Sequence, residues 1–247
     1  MKIILYSEYL ERDLPKNLDY DEYRIWDKKE KEKEKEKEKE HADIGTQAFS
    51  EITSNKSLII LDALDKSQSD ILVYSDVDIV ALKSFIDILS VFVSNGKFWI
   101  AQEGTVLNGS IYNFCTGFII MSSIEHNREI LLQWHEEQMG LMKINASLHE
   151  QDAFNHLMKK QENIQQFVQG LPLAMVAPGW MYELYSQYHK SKIIPYFFHA
   201  NWVIGKTRKI ERMENIVFTN NIINRRFIVL KIQNITNFLV RFIQKFL

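Results

Sequence analysis

The chain of 247 residues has a single cysteine, Cys115, no long apolar run and almost no net charge. A single cysteine excludes an intramolecular disulfide and favours a reducing, cytoplasmic compartment. No stretch approaches the roughly 20 apolar residues that a membrane-spanning helix needs. The first apolar run ends at Leu5 and Glu8 follows soon after, which is unlike a secretory signal peptide. A formal net charge of -2 gives no indication of a nucleic-acid partner.

Short apolar runs alternate with amphipathic stretches along most of the chain, which predicts an α/β fold with a mainly parallel sheet flanked by helices. The hydrophobic content of 46% is enough for a sizeable core. The expected strands cover 2–7, 22–26, 71–73, 98–101, 117–121 and 193–198, and the expected helices cover 46–64, 83–93 and 124–139. The residues expected to face the core from these helices are Phe49, Ile52, Leu58, Leu61, Leu64, Phe85, Ile88, Leu89, Phe92, Ile130, Leu131 and Trp134.

Two segments lack the composition of a folded core. Lys and Glu alternate strictly from Lys29 to Glu40, which leaves no apolar helical face and predicts a solvated surface insert without a catalytic role. After Glu214 the chain has no acidic residue, and one helical face of this tail is apolar. The apolar positions are Ile235, Phe238, Leu239, Phe242 and Phe246. Such a helix can lie on an anionic membrane surface, or it can dock on the domain or on a second subunit.

Aromatic residues become dense beyond Gly170. They are Trp180, Tyr182, Tyr185, Tyr188, Tyr196, Phe197, Phe198 and Trp202. Core packing is the favoured interpretation for most of them. A surface on which sugar rings stack is the alternative.

Two carboxylates, Asp76 and Asp78, follow a buried apolar strand with one residue between them. Open α/β sheets bind ligands just beyond the carboxyl ends of their strands. Two hard oxygen ligands at such a place suit Mg²⁺ or Mn²⁺. The alternative is that these residues only end the strand and cap the next helix.

Histidine and lysine form a second group late in the chain. His199 follows an apolar run and therefore lies near a strand end, where its imidazole can complete a metal shell. Gly205 allows close approach of the backbone to a ligand, and Lys206 can neutralise phosphate oxygens. The alternative for His199 is a structural role, because a lone histidine at a strand end is more often a structural residue than a ligand.

Two further groups are candidates for ligand binding. Glu150, Gln151 and Asp152 are predicted at the start of a helix, where acidic residues also favour the helix dipole. Tyr6 and Ser7 lie at the carboxyl end of the first strand, although core packing explains Tyr6 equally well.

Four motifs resemble, in the same order, those of GT-A-fold glycosyltransferases of the nucleotide-diphospho-sugar transferase family, which are related to glycogenin and the lipopolysaccharide galactosyltransferases. The motifs are Ser75-Asp76-Val77-Asp78, Thr116-Gly117-Phe118-Ile119-Ile120, Glu150-Gln151-Asp152-Ala153-Phe154-Asn155, and His199 with Gly205 and Lys206. The family usually has Asp where Glu150 stands and Asn where Cys115 stands. The resemblance implies a GT-A-like domain over 1–208, while composition predicts 29–40 as a surface insert in it and 209–247 as a basic amphipathic tail.

The same resemblance implies roles for the candidate residues. Asp76, Asp78 and His199 would hold Mn²⁺ or Mg²⁺ on the donor diphosphate. The nucleotide and its diphosphate would be bound by Tyr6, Ser7, Asp76, Gly205 and Lys206. The transferred sugar would face Glu150, Gln151 and Asp152. The implied reaction moves a sugar from a UDP- or GDP-sugar to a glycan or lipid-linked acceptor with retention of configuration.

Two other functions are compatible with part of the pattern. A haloacid-dehalogenase-type phosphohydrolase would use Asp76 as nucleophile and Asp78 as acid/base. That family also needs a later acidic pair, and Asp152 is the only aspartate after Asp87. A non-catalytic module that binds nucleotide sugars, or that scaffolds other enzymes at the membrane, is the third hypothesis.

Overall fold

The computed structural model describes residues 2–7, 22–25, 46–66, 71–93, 95–104, 113–181, 195–203, 205 and 207–217. The strands in chain order are β1 Lys2–Ser7, β2 Glu22–Ile25, β3 Ile71–Ser75, β4 Ile79–Ala81, β5 Phe98–Gln102, β6 Phe114–Ser122, β7 Val168–Gly170, β8 Val176–Ala177 and β9 Phe197–His199. The helices are α1 Gln47–Thr53, α2 Lys56–Lys66, α3 Ile86–Val93, α4 Glu125–Ile144, α5 Glu150–Lys160, α6 Glu162–Gln165 and α7 over 207–217. One 3-10 turn covers Gly179–Met181.

A six-stranded sheet in the order β2-β1-β3-β6-β5-β7 forms the centre of the fold. β6 is antiparallel to both of its neighbours, while the other pairings in this sheet are parallel. β1, β3 and β5 therefore run in one direction, and their carboxyl ends lie at the same edge. The expectation of a mainly parallel α/β sheet is confirmed, with β6 as the reversed strand.

A second sheet of three short strands, in the order β4-β9-β8, joins distant parts of the chain. β4 is antiparallel to β9, and Ile79 is paired with His199. The segment that follows β3 is thereby fixed against the segment that ends at His199.

The core lies on both faces of the central sheet. β6 is buried along its whole length, and its successive side chains point to opposite faces. Ile119 and Met121 pack with α2, α4 and α5, whereas Phe118 and Ile120 pack with α3 and β9. Burial on both faces explains why the sequence of this strand is continuously apolar rather than alternating.

The region predicted as one helix over 46–64 forms two helices, α1 and α2. The hydroxyl of Ser54 donates to the carbonyl of Glu51, and such a bond competes with continuation of a helix. Because α2 starts anew after the break, a different face of it points to the core from the one expected for a continuous helix. Leu58 and Leu61 are only half-buried, whereas Ile60 and Ala63 are buried. Leu64 is buried as expected and Phe49 is half-buried, whereas the side chain of Ile52 is outside the described residues.

Two further helices differ in length from the prediction. α3 begins at Ile86 rather than at 83, because the backbone of Leu82 is still bound to Tyr196. On α3, Leu89 is buried and Ile88 and Phe92 are half-buried, while Phe85 precedes the helix and is half-buried. α4 continues to Ile144, and its expected core residues are all buried. These are Ile130, Leu131 and Trp134.

Helix α7 packs its Met213 and Ile216 against Val80 and Phe198 of the small sheet. The predicted boundary between 208 and 209 falls within this helix, and the division of the chain stays a prediction. Trp26, the Lys/Glu run over 29–40 and the apolar tail positions from 235 onward lie outside the described residues. Among the helices of the described residues, none combines the length and the apolar composition that crossing a membrane requires.

Trp134 tests how α4 and α5 are held together. It is fully buried, packs edge-on against Phe154 and donates its indole N–H to the carbonyl of Glu150. We expect Trp134→Ala to lower the free energy of unfolding by about 3–5 kcal/mol, because it leaves a large cavity and an unpaired carbonyl. Urea denaturation measures the change. The control Leu132→Ala, at an exposed position of the same helix, should cost no more than about 0.5 kcal/mol. Equal effects of the two substitutions would contradict this packing.

Candidate active site

Three candidate ligands from distant parts of the chain come together at the carboxyl edge of β3. Asp76 follows β3, Asp78 precedes β4, and His199 ends β9. The amide of Asp76 donates to the carbonyl of Gly117 at 2.7 Å, and the amide of Ala200 donates to the carbonyl of Asp78 at 2.7 Å. One carboxylate oxygen from each aspartate and one ring nitrogen of His199 lie within 4.8 Å of one another.

Asp78 is a buried carboxylate that contacts two cationic groups. His199 Nε2 lies 3.1 Å from one of its oxygens, and Lys209 Nζ lies 2.8 Å from the other. Burial raises the pKa of Asp78, but His199 and Lys209 outweigh this effect and hold the pKa well below its usual range. Burial lowers the pKa of His199, but the Asp78 carboxylate raises it well above its ordinary value. Asp78 is therefore a carboxylate, not a carboxylic acid, at neutral pH.

The other ring nitrogen of His199 faces a thiol. His199 Nδ1 lies 3.4 Å from Cys115 Sγ, and burial raises the pKa of that thiol. A neutral thiol beside the ring leaves both aspartates as the anionic groups of the cluster.

Gly117 lets the imidazole approach the carboxylates. A Cβ atom at this position would lie 2.5 Å from Cε1 of His199 and 3.1 Å from a carboxylate oxygen of Asp76. Any larger residue would occupy the space between these two side chains. The close packing of His199 and Asp76 therefore explains why position 117 is a glycine.

The cluster fits a divalent cation by its donor set. Two carboxylates and one neutral imidazole suit Mn²⁺ or Mg²⁺ bound together with water or phosphate oxygens. His199 would therefore give up the ring proton that Asp78 stabilises when it binds the cation. Asp78 and His199 have side chains only 6% and 7% exposed, whereas that of Asp76 is 26% exposed. Asp76 thus leaves one side of the cluster open to a ligand.

Asp76 is held by two residues that the sequence did not indicate. Lys56 Nζ lies 3.1 Å from one oxygen of Asp76, and the hydroxyl of Tyr74 donates to that carboxylate at 2.6 Å. Lys56 also contacts Glu150 at 2.9 Å and thereby bridges the cluster to α5. Burial lowers the pKa of Lys56, but Asp76 and Glu150 raise it well above its ordinary value. The buried face of α2 includes Lys56, Ile60 and Ala63. Their helical spacing was the sequence feature that could have indicated a buried lysine.

Glu150, Gln151 and Asp152 form the first turn of α5, as predicted, but their surroundings differ. The carboxylate of Asp152 accepts the amide N–H of His149 at 3.1 Å and so caps the helix. Glu150 is buried; burial raises its pKa, but Lys56 holds that pKa well below the usual range. The side chain of Gln151 is half-buried. The catalytic role expected for all three stays a prediction.

One oxygen of Glu150 is an acceptor without a donor among the described residues. Oε1 accepts hydrogen bonds from Lys56 and from the Thr116 hydroxyl. Oε2 is buried and accepts none. The nearest ring nitrogen, Nδ1 of His149, is 3.5 Å away and itself accepts the amide N–H of Gln151. Burial lowers the pKa of His149, but its contact with Glu150 raises that pKa above the ordinary value. The imidazole thus partly offsets the cost of a buried oxygen without a hydrogen bond.

The residues expected to bind the nucleotide are described only in part. The backbone of β1 pairs with β3 up to Leu5 and Ser75, so Tyr6 and Ser7 follow at the edge next to Asp76. Gly205 has a φ of 92°, which favours glycine, and a Cβ there would meet nothing within 4 Å. Lys206 lies outside the described residues. The sequence did not indicate Lys209 as a site residue. The amide of Lys209 donates a helical hydrogen bond to the carbonyl of Gly205, so Lys209 lies one helical turn after that glycine.

The family model described as nucleotide-diphospho-sugar transferase matches residues 17–213. A search of curated protein sequences finds no match.

The chain is similar to a glycosyltransferase involved in the glycosylation of the major capsid of PBCV-1, with 14% identity and a TM-score of 0.50, over 86% of this chain and 97% of that one. It also matches the glycosyltransferase GlyE of Streptococcus pneumoniae TIGR4, with 14% identity and a TM-score of 0.40, over 69% of this chain and 46% of that one. Mouse xyloside xylosyltransferase 1 matches with 13% identity and a TM-score of 0.43, over 74% of this chain and 76% of that one. The first of these likenesses supports the expected GT-A-type α/β fold.

Lys56 tests the charge balance of the site. We expect Lys56→Met to lower the free energy of unfolding by about 3–5 kcal/mol, because it leaves the carboxylates of Asp76 and Glu150 without their shared cation. Lys66→Met on the same helix is the matched control, since its pair with Asp62 is exposed and should contribute no more than about 1 kcal/mol. Urea denaturation compares the two variants. Similar losses in both would show that the bridge does not stabilise the site.

Proposed function

The chain belongs to the nucleotide-diphospho-sugar transferase family, and we propose that it moves a sugar from a UDP- or GDP-sugar to a glycan or lipid-linked acceptor with the help of Mn²⁺ or Mg²⁺. The observation that supports this most strongly is the meeting of Asp76, Asp78 and His199 beside the open edge of β3. Retention of configuration is part of the proposal and follows from the family resemblance alone.

Asp76, Asp78 and His199 would hold the cation, and the partly exposed Asp76 would leave room for phosphate oxygens. A bound divalent cation supplies positive charge that stabilises the departing diphosphate. Lys56 and Tyr74 keep the Asp76 carboxylate in a fixed orientation before the donor binds. Such preorganisation avoids rearrangement when charge develops during the reaction.

Lysines would neutralise the rest of the diphosphate charge. Lys209 Nζ contacts the carboxylate of Asp78 in this structure and is therefore close to the proposed cation site. We assign to it the diphosphate role that the sequence suggested for Lys206. Tyr6 and Ser7 would bind the nucleotide, because the edge beyond β1 adjoins Asp76. Gly205 would bind the diphosphate through its backbone, because it lies one helical turn before Lys209.

Glu150 is the residue of its turn that best suits contact with the transferred sugar. Its Oε2 atom is a buried acceptor without a donor, and a sugar hydroxyl would supply one. Its negative charge, retained at neutral pH, would stabilise positive charge at the anomeric carbon as the bond to the diphosphate breaks. Gln151 and Asp152 remain candidates for the same surface, although Asp152 already caps α5.

The alternatives have less support. A phosphohydrolase has less support because the family match is to sugar transferases, and because Asp152 is the only aspartate after Asp87 that could contribute to a later acidic pair. A module that only binds nucleotide sugars would show the donor-dependent thermal shift without any turnover, and this outcome distinguishes it from a transferase.

Asp78 gives the direct test of the metal assignment. The parent protein should gain about 5–10 °C in melting temperature with Mn²⁺ and its preferred nucleoside-diphosphate sugar at about 100 times the dissociation constant. We expect Asp78→Asn to lose this gain and the Mn²⁺-dependent turnover, because one anionic ligand is removed while the side-chain shape is kept. Asp62→Asn, at an exposed position on α2, serves as the control. Turnover that persists with Mn²⁺ in Asp78→Asn, with the fold intact by circular dichroism, would refute the assignment.

We also propose a cytoplasmic location in which the basic tail contacts an anionic membrane surface. The tail beyond 217 has basic residues and no acidic ones, which favours such contact. The full chain should co-sediment with anionic lipid vesicles at low salt, and a chain that ends at 217 should not. Equal sedimentation of both proteins would contradict the membrane role of the tail.

A further inference from the structure

Two tryptophans near the candidate active site donate their indole N–H groups to one residue, Glu103. Trp180 is 41% exposed and Trp202 is 59% exposed. Trp180 Nε1 donates to the carbonyl oxygen of Glu103, and Trp202 Nε1 donates to its carboxylate at 2.6 Å. Each ring is therefore fixed at its N–H edge while much of its surface remains open to solvent.

A buried polar network holds the two tryptophan segments together. The Glu103 side chain is buried, and its carboxylate accepts a hydrogen bond from Asn201 Nδ2 at 2.7 Å. Asn201 Oδ1 in turn accepts a hydrogen bond from the amide N–H of Gly179 at 2.6 Å. Arg212 of α7 donates to the carbonyls of Gly179 and Asn201 at 3.3 and 3.0 Å. A Cβ at Gly179 would lie 2.0 Å from the carbonyl of Asn201, so glycine is needed for this approach. The network makes the spacing of the two rings a fixed property of the fold.

Trp202 is held in an unfavourable backbone conformation. Its φ is 63°, and it is the non-glycine residue with a positive φ in the described part of the chain. The left-handed region disfavours side chains with a Cβ, and glycine would adopt it with less strain. Strain of this kind is concentrated at functional sites, where the surrounding structure maintains it. Here the strain presents a large ring to solvent rather than filling the core.

The order of the strands places this pair on the opposite side of Asp76 from β1. Glu103 follows β5, Asp76 follows β3, and the sheet runs β1-β3-β6-β5 with these three carboxyl ends at one edge. Two strand spacings separate β3 from β5, which is about 10 Å. Side-chain contacts also connect the two places, since Asn201 Nδ2 lies 3.9 Å from Cys115 Sγ, and Cys115 Sγ lies 3.4 Å from His199 Nδ1.

We propose that Trp180 and Trp202 form the binding site for the acceptor saccharide, whose C–H faces pack on the two indole rings. The proposal rests on the glycosyl transfer proposed above, which requires an acceptor beside the reacting sugar. A rigid aromatic ring offers a large apolar surface with little loss of side-chain entropy on binding. Tyr6 and Ser7 assign the nucleotide base to the β1 side of Asp76, so the rings on the β5 side are free for a saccharide.

Trp202→Gly and Trp180→Ala test the pair, with methyl glycosides of common hexoses and pentoses in both anomeric forms as acceptors. Trp202→Gly removes the ring at a position whose backbone suits glycine, so its melting temperature should stay within about 4 °C of the parent. We expect kcat/KM for the acceptor to fall about tenfold or more in each variant, while KM for the donor stays unchanged. Trp202→Phe keeps a ring and should recover part of the loss. Unchanged acceptor kinetics in both ring-deletion variants would overturn the proposal.

Tryptophan fluorescence provides a second readout that needs neither donor nor metal. Titration of the parent with the same glycosides should give a saturable change in emission, which Trp202→Gly and Trp180→Ala should weaken. Ile144→Ala, an exposed apolar position on α4, should behave like the parent. The absence of any change in the parent would count against the site.

Nucleotide binding separates this proposal from the proposed function. If the tryptophan variants lose the Mn²⁺-dependent thermal shift with the nucleoside-diphosphate sugar, the rings contact the donor and the acceptor assignment is wrong. If the parent itself shows no such shift but still responds to glycosides, the proposed transfer fails while the saccharide site stands.

Discussion

The antiparallel pairing of β4 with β9 is the constraint on which the candidate site depends. It sets His199 opposite Ile79 and brings its imidazole to Asp78, 121 residues earlier in the chain. The small sheet that contains this pair is held in turn by α7, whose apolar residues pack beneath it. Because α7 also supplies Lys209, one packing unit positions both the histidine and a lysine at the same carboxylate.

Charge balance gives the site a second level of organisation. Asp78 and Glu150 are buried, Asp76 is half-buried, and these carboxylates share the cations Lys56, Lys209 and His199. The cations keep Asp78 and Glu150 ionised in a place where burial favours their neutral forms. A metal ion and a diphosphate would bring further charges of both signs to this cluster. Under the proposed function, Lys209 has a role in both states, first on Asp78 and then on phosphate.

Residues at strand ends could be predicted from the sequence, because an apolar run reveals where a strand stops. Asp76, Asp78 and His199 were found in this way, and they do lie together. Lys56 was missed because its partners, Asp76 and Glu150, are 20 and 94 residues away, and a lysine on a helix is normally solvated. The break between α1 and α2 and the direction of β6 were also hidden, since both depend on local hydrogen bonds and strand pairing rather than on hydrophobic spacing.

Under the proposed function, Asp76, Asp78 and His199 bind one divalent cation beside the diphosphate of the donor. Crystals grown with Mn²⁺ and a nucleoside diphosphate, measured at the manganese absorption edge, test it most directly. We expect an anomalous peak within about 2.5 Å of an oxygen of Asp76, an oxygen of Asp78 and a ring nitrogen of His199. A manganese ion bound elsewhere, with Lys209 Nζ still in contact with the Asp78 carboxylate, would contradict this metal assignment.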